Sequence, residues 1–200
     1  TTLPKLLSEE NVDSILNFLK ENSNNFKNKQ ILVLTELLYA TGLRVSELVT
    51  IKLSALDESL KNLLVRGKGG KERIIPIGEV AKKALNNYFT DHTFKKLKDK
   101  LVGDIWLFPS RKSHITRQTY FKKLKEVSIK VGIDPKLVSP HVFRHAFASH
   151  MLRNGADLKV IQYLLGHEDI STVEIYTHVN LKDSIKAIKK HPISYILPKE

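Results

Sequence analysis

Three side chains that can bind phosphate lie close together just after Ser139-Pro140. Ser139 suits a helix N-cap and Pro140 suits the first helical position, so a helix is predicted to begin here. His141, Arg144 and His145 would then share one face of its first turn and a half. A helix N-terminus attracts anions, and arginine and imidazole groups donate hydrogen bonds to phosphate oxygens. This spacing therefore predicts a phosphate site.

The same helical face continues with Ala148 and Leu152, which predicts that it turns toward the interior. His141 and His145 also have the i, i+4 spacing of a zinc pair. Arg144 stands between them and the glutamate of an HExxH motif is missing, so no metal site is predicted. A single histidine is more often an ordinary surface or core residue. The combination around a capped helix start is what indicates function.

Two more polar residues follow in the chain and could join this site. Asp157 is predicted to cap the next short helix, which ends at Gly166-His167. Ser171 and Glu174 have the spacing of a capping box, and Tyr176 falls in the second turn of the helix that they open. Two short helices and a turn can bring His167 and Tyr176 to the phosphate site. A tyrosine by itself more often serves only in packing.

The N-terminal half adds an arginine at the edge of the core. Residues 31–40 are almost continuously apolar, which predicts a buried helix, and Gly42 suits its left-handed C-cap. Arg44 follows directly and starts a short helix, in which Glu47 at i+3 could hold the guanidinium. The alternative is a plain ion pair on a helix surface.

A β-hairpin with a basic tip is predicted between residues 60 and 77. Two β-prone runs, 63–65 and 74–77, flank the sequence GKGGK at 67–71. Its glycines would let the backbone approach a ligand closely. The spacing does not match a nucleotide P-loop, and an ordinary solvated hairpin tip is the alternative.

The remaining pattern is helical, so the predicted fold class is α+β, mainly α-helical with a small antiparallel β-sheet. Apolar periodicity predicts helices after Ser8 and over 78–88, 116–131 and 181–190, whereas 91–100 reads as a loop or loose helix. The outer face of the helix over 116–131 is basic and includes Arg117 and Lys122. Such a face suits a DNA backbone, although it is often only solvated.

Composition narrows the class of partner. The 200 residues suit one domain, and we find neither an apolar run long enough to span a bilayer nor a signal-peptide pattern. The absence of cysteine excludes disulfides and thiolate zinc sites and agrees with a cytoplasmic location. A net charge of +12 favours a polyanion as partner. A lysine-rich proteome is the alternative, because 26 of the 33 basic residues are lysine.

Five short motifs stand out along the chain: ATGLRVSEL at 40–48, GKGGKER at 67–73, HVFRH at 141–145, LLGH at 164–167 and YTHV at 176–179. With these motifs, in this order and spacing, the chain resembles the tyrosine site-specific recombinases of the phage-integrase family, most closely the bacterial Xer type. The closing Lys190-His191-Pro192 is also Xer-like. The resemblance implies the catalytic-domain fold of the DNA breaking-rejoining enzymes over residues 1–200.

The resemblance also implies a role for each matching residue. Tyr176 would be the nucleophile that attacks the scissile phosphate, and Lys68 would protonate the leaving 5′ oxygen. Glu47 and His145 would support the site from outside. The residues implied to bind the phosphate are Arg44, His141, Arg144 and His167. The residues expected to contact DNA elsewhere are Lys71, Arg73, Arg117 and Lys122. Cationic side chains would take the place of a metal ion, and neither cofactor nor ATP is expected.

Beyond the single chain, the resemblance implies a homotetramer on two double-stranded recombination sites, with a DNA translocase as a possible activator. Since the resemblance begins at the catalytic part, we expect the chain to be a catalytic fragment without the family's N-terminal core-binding domain. Chromosome dimer resolution, and with it chromosome partition and cell division, is the expected role. Integration or excision of a mobile element, relaxation by a type IB topoisomerase and a non-catalytic DNA-binding module are the alternatives. Residues 181–200 are expected to dock in trans on a neighbouring protomer, or otherwise to complete their own core.

Overall fold

Eight helices and one β-hairpin form the described part of the chain. The structure is a computed structural model, and it describes residues 7–111, 113–166 and 186–189, with the backbone but not the side chain of Lys68. The strands are β1 (Asn62–Arg66) and β2 (Glu72–Pro76). The helices are α1 (Glu9–Glu21), α2 (Phe26–Thr41), α3 (Val45–Val49), α4 (Glu79–Phe89), α5 (His92–Lys100), α6 (Arg117–Lys130), α7 (Pro140–Arg153) and α8 (Leu158–Leu165). The predicted fold class is confirmed.

Helix α2 is the centre of the domain and packs against α1, α4 and α7. Most of its residues are buried, as its continuous apolar run predicts, although it begins at Phe26 rather than Ile31. It ends at Gly42, whose φ of +64° is the left-handed conformation that glycine adopts without strain. The chain can therefore turn sharply from the buried helix to Arg44 at the start of α3.

Side-chain caps fix where the other helices begin. Ser8 Oγ accepts a hydrogen bond from Asn11 N at 3.1 Å, and Ser139 Oγ accepts one from Val142 N at 3.2 Å. Asp157 caps α8 in the same way, through Lys159 N at 2.7 Å. These caps satisfy backbone donors that a helix leaves free at its first turn. The predicted start of α7 at Pro140 is confirmed.

The segment after Asp91 differs from the prediction of a loop or loose helix. It forms the regular helix α5, because Asp91 accepts a hydrogen bond from Thr93 N at 2.8 Å and so caps the first turn. Phe94 is buried and packs against Tyr88, with ring centroids 4.8 Å apart. One aromatic anchor and a cap therefore suffice to hold this highly charged helix on the domain.

The hairpin of β1 and β2 stands on the side of the domain that carries α3 and α8. The strands are antiparallel, and Val65 pairs with Arg73 in the register. Alternate residues of β2 point inward, so Arg73 and Ile75 are buried while Ile74 is 41% exposed. An arginine consequently lies on the interior face of the hairpin.

Two further observations concern residues 186–189 and the length of the described helices. Residues 186–189 are helical, and Ala187 and Ile188 are each only 4% exposed, within the main hydrophobic core. Within the described ranges, no helix has the length and apolar character needed to cross a membrane.

Candidate active site

Arg144 is the most buried charged residue of α7 and ties three segments together. Its guanidinium Nη1 donates a hydrogen bond to Gly42 O at 2.6 Å, and Nη2 donates one to Leu165 O at 2.7 Å. The side chain is 9% exposed. The carbonyl of Leu165 is one of the last of α8, and a cation at a helix C-terminus is favourable. Arg144 therefore joins the ends of α2 and α8 to the first turns of α7.

Burial and neighbouring charge both act on Arg144. Burial, together with the positive charges of Arg44 and Arg73, lowers the pKa of its guanidinium to about 10, and Glu47 opposes the change. Arg144 is still charged at neutral pH. Positive charges near the Arg144 guanidinium outnumber negative ones, so a bound anion stabilises its charged form. The site therefore favours a bound phosphate oxygen.

Arg44 lies at the N-terminus of α3, where Glu47 holds it as predicted. The Arg44 backbone N–H donates to Glu47 Oε2 at 2.9 Å, and its guanidinium Nη1 lies 3.6 Å from Glu47 Oε1. The Arg44 side chain is 47% exposed, in contrast to Glu47 at 10%. Arg44 is therefore held at one side and open to a ligand at the other.

Arg73, which was predicted to contact DNA, is buried. It is 8% exposed, because the pleat of β2 turns it inward. Its Nη2 lies 3.1 Å and 3.2 Å from the two carboxylate oxygens of Glu47, and Nε donates to Leu164 O at 3.2 Å. The alternation of Arg73 with Ile75 along β2 is the sequence signal for this inward position.

His141 and His145 lie next to each other on the exposed side of α7. Their Nε2 atoms are 2.9 Å apart, which requires one ring to donate and the other to accept. Partial burial, the His141 ring and the Arg144 charge all lower the pKa of His145. This favours the neutral form of His145, whose Nε2 can accept a hydrogen bond from His141 and so orient the His141 ring.

The predicted inward direction of this face is confirmed in part for Ala148, which packs partly buried against the core, and is wrong for the two histidines and Leu152. His141 and His145 are exposed, and Leu152 is 45% exposed. The stripe of α7 that packs inward is a different one, made of Phe143, Phe147 and Met151, because these side chains bury more apolar area. The two histidines therefore face the outside of the domain.

The hairpin tip has the open, glycine-rich form that was predicted. Gly67 N donates to Lys71 O at 2.8 Å and closes an irregular turn over residues 68–70. Gly69 and Gly70 have φ values of +73° and +77° with open space around them. Lys71 is exposed. The backbone turn that carries Lys68 is thus open on the side of its two glycines.

Three of the six tyrosines are excluded as nucleophiles by their surroundings. Tyr39, Tyr88 and Tyr120 are at most 1% exposed, and burial raises the pKa of each phenol. Tyr39 Oη lies 2.6 Å from His150 Nδ1, and Tyr88 donates to Leu107 O at 3.0 Å. The tyrosines left as candidates are Tyr163, which is half-buried, and Tyr176 and Tyr195, which lie outside the described residues.

His167, like Tyr176, lies outside the described residues. Gly166 immediately precedes it and ends α8 with φ +64°. Arg117 and Lys122 are exposed on α6, as expected of residues that contact DNA. Among the described side chains there is no group of three or more that could hold a metal ion.

Comparison with known sequences shows the family of the chain. The model of the "Phage integrase family" matches residues 5–183. Tyrosine recombinase XerD of Bradyrhizobium diazoefficiens is 43% identical over 96% of the chain, and XerD of Yersinia pestis is 49% identical over 88%. These alignments cover 64% and 58% of the relatives, so the chain spans under two thirds of their length.

Solved structures show the same fold. The crystal structure of XerA recombinase superposes with a TM-score of 0.71 at 30% identity, over 100% of this chain and 68% of XerA. XerH recombinase, bound to its difH substrate, gives a TM-score of 0.72 at 23% identity over 92% of this chain and 53% of XerH. From the family match and these relatives we conclude that the chain belongs to the phage integrase family of tyrosine recombinases.

Proposed function

We propose that this chain is the catalytic part of a site-specific DNA recombinase that cleaves and rejoins DNA through a covalent 3′-phosphotyrosine at Tyr176. One observation carries the proposal. The guanidinium groups of Arg44 and Arg73 both pair with the carboxylate of Glu47, the buried Arg144 is close enough to feel the charges of all three, and Arg44 is half-exposed. The excess positive charge beside an open surface is complementary to the phosphate of a DNA backbone.

The residues divide the reaction between them. The phenol oxygen of Tyr176 attacks phosphorus, and the bond from phosphorus to the 5′ oxygen of the next nucleotide breaks. Arg44, Arg144 and His141 stabilise the negative charge that develops on the non-bridging oxygens. Lys68 gives a proton to the leaving 5′ oxygen. The phosphotyrosine retains the energy of the phosphodiester, so rejoining needs no ATP.

The relatives suggest the biological role. Because they are named XerD, we propose Xer-type recombination, with chromosome dimer resolution as its purpose. Its partners would be a double-stranded recombination site, further copies of the chain in a tetramer and a DNA translocase as activator, acting in the cytoplasm. The basic face of α6, with Arg117 and Lys122, and Lys71 of the hairpin would contact the DNA backbone.

We further propose that residues 181–200 dock in trans when the tetramer assembles. In the single chain, Ala187 and Ile188 are buried in the domain's own core. An apolar stripe that is satisfied in cis before assembly could exchange to a neighbour at little cost, because it buries the same area in both places.

Incubation with a nicked suicide duplex tests the proposed function. The nick lets the cleaved fragment diffuse away, so a covalent protein–DNA adduct should accumulate on a denaturing gel. It should form on a duplex carrying a candidate recombination site, in EDTA and without ATP, and not on a duplex of scrambled sequence. Specific binding without any adduct would instead favour the non-catalytic DNA-binding module.

A further inference from the structure

Arg73 is more buried and makes more contacts within the domain than a residue that only contacts DNA at the surface would need. It lies on the interior face of β2, opposite Val65, and only 8% of it is exposed. Burying a charged side chain is costly unless it is paired and hydrogen-bonded. Among the described residues, its guanidinium contacts Glu47 and Leu164, within the domain. Its position thus points inward to the site's scaffold and away from bulk solvent.

Glu47 is the first of the segments that Arg73 contacts. Arg73 Nη2 lies within 3.2 Å of both carboxylate oxygens, closer than the 3.6 Å that separates Arg44 Nη1 from Glu47 Oε1. Both members of the Arg73–Glu47 pair are at most 10% exposed. The carboxylate that holds Arg44 is therefore itself held by Arg73.

The end of α8 is the second segment. Arg73 Nε donates to Leu164 O, and Arg144 donates to the next carbonyl, that of Leu165. A β-carbon added at Gly166 would lie 2.8 Å from Cζ of Arg73, so the guanidinium packs directly on the backbone there. His167 follows Gly166 in the chain. The Arg73 guanidinium thus holds the last residues of α8 in place, up to the residue before His167.

The hairpin that carries Lys68 is the third segment. Arg73 is part of β2, and a β-carbon added at Gly67 would be 3.4 Å from its Nη1. Gly67 and Lys71 close the tip through a hydrogen bond of 2.8 Å. The base of the hairpin is therefore fixed to α3 and α8 through one side chain.

We propose that Arg73 is a positioning residue of the recombination site. It fixes Glu47, the end of α8 and the base of the hairpin relative to one another, and so keeps Arg44, Arg144 and the backbone of the hairpin tip in a fixed arrangement around the phosphate site. Arg73 itself does not touch the DNA. This inference rests on the proposed function, because it assigns a role within that reaction. Small displacements of reacting groups cost on the order of 100-fold in rate, so one residue that aligns three of them has a large effect.

The test compares Arg73→Lys and Arg73→Gln with the matched control Arg66→Gln on the same hairpin. Arg66 is 78% exposed and pairs with Glu72 at the surface, so its loss should have little effect. Dissociation constants for intact duplex and single-turnover cleavage rates on suicide DNA are measured for each. We expect both Arg73 variants to bind DNA within about threefold of the parent chain and to cleave on the order of 100-fold more slowly.

A DNA substrate with a 5′-thio leaving group adds a readout that a merely structural role would not change. It needs no proton at the leaving atom, so the part of the defect caused by a misplaced Lys68 should disappear. The deficit of the Arg73 variants should thus be several-fold smaller on thio-DNA than on ordinary DNA.

The possible outcomes test the positioning role of Arg73 separately from the proposed function. Cleavage by both variants at the parent rate would overturn the positioning role, and so would a loss confined to DNA affinity, which would return Arg73 to the DNA-contacting set. Failure of both variants to fold would assign Arg73 to the core and also overturn it. Failure of the parent chain to cleave any of the candidate sites, difH among them, would refute the proposed function itself.

Discussion

Arg144 and Gly42 lie 102 positions apart in the chain and are joined by a 2.6 Å hydrogen bond from the guanidinium to the carbonyl oxygen. The contact depends on glycine at position 42. A β-carbon there would lie against the Phe147 ring of α7 and 2.8 Å from a methyl carbon of Leu165 in α8. The left-handed turn after α2 therefore serves both to end the helix and to let α7 and α8 approach it.

Gly42→Ala should destabilise the domain by more than backbone strain alone. Gly132→Ala is the matched control, because Gly132 also has a left-handed φ (+75°) but has open space around it. Strain alone costs about 1–2 kcal/mol, and overpacking adds about 1–3 kcal/mol at position 42. Urea unfolding measures both. Equal losses of unfolding free energy in the two variants would show that the close approach at Gly42 is unimportant.

Arg44 and Arg144 should separate activity from stability. Arg144→Lys keeps the charge but cannot reach both Gly42 O and Leu165 O, so we expect a loss of about 1–3 kcal/mol of unfolding free energy. Arg44→Lys changes a half-exposed side chain and should cost under about 1 kcal/mol. Both should lower the cleavage rate strongly. Arg153→Lys, on the exposed face of α7, serves as the control and should change neither quantity.

An equally large loss of stability in Arg44→Lys would contradict the distinction between the buried and the open arginine. Cleavage at the parent rate by Arg144→Lys would show that the two carbonyl contacts of Arg144 are not needed for the reaction.

His150 should make stability depend on pH. It is 2% exposed and bonded to Tyr39, and burial lowers its pKa while Glu9 opposes the change. Near its ordinary pKa of about 6.5 the unfolded chain binds more protons than the folded one. The contribution of neutral His150 is therefore complete above that pH and is lost as the pH falls through the lower, folded value.

Urea unfolding between about pH 8 and pH 5 measures this effect in the parent and in His150→Gln. The variant should lose stability overall but show a shallower fall toward acid pH. His145, whose pKa is also lowered, is present in both proteins, so the difference isolates His150. Parallel curves would contradict the assignment of a neutral, buried imidazole.

Features that depend on neighbouring residues, such as helix ends, could be predicted from the sequence. Contacts between segments that are distant in the chain could not. Ser139, Asp157 and Gly42 mark helix ends through caps and left-handed turns, which depend only on nearby residues. The contact between Arg73 and Glu47, 26 positions apart, depends on how the hairpin docks on α3. The alternation within β2 places Arg73 on the same face as Ile75, but no pattern within β2 specifies which segment that face packs against.

The direction of α7 illustrates the same limit. The i, i+3, i+4 spacing correctly put His141, Arg144 and His145 on one side. Which side faces the core is decided by competition with the stripe of Phe143, Phe147 and Met151, and the aromatic stripe is the one that packs on α2. Arg144, at the border of the two stripes, is buried and bonded while the histidines stay outside.

Lys68 should matter only when the leaving group needs a proton. Lys68→Met should slow cleavage of ordinary DNA far more than cleavage of DNA with a 5′-thio leaving group, because a thiolate leaves unprotonated. Lys71→Met, at the exposed end of the same tip, is the control and should treat both substrates alike. Equal slowing on both substrates in Lys68→Met would reject Lys68 as the general acid, and Lys71 would be tested next.

The most direct measurement is peptide mapping of the covalent adduct. After incubation with suicide DNA, digestion with a nuclease and a protease should leave a nucleotide on the peptide that contains Tyr176, and mass spectrometry should locate it on that residue. Tyr176→Phe should bind the same DNA and form no adduct, because the buried Tyr39, Tyr88 and Tyr120 cannot replace it. A nucleotide on Tyr163 or Tyr195, or an undiminished adduct in Tyr176→Phe, would contradict the account.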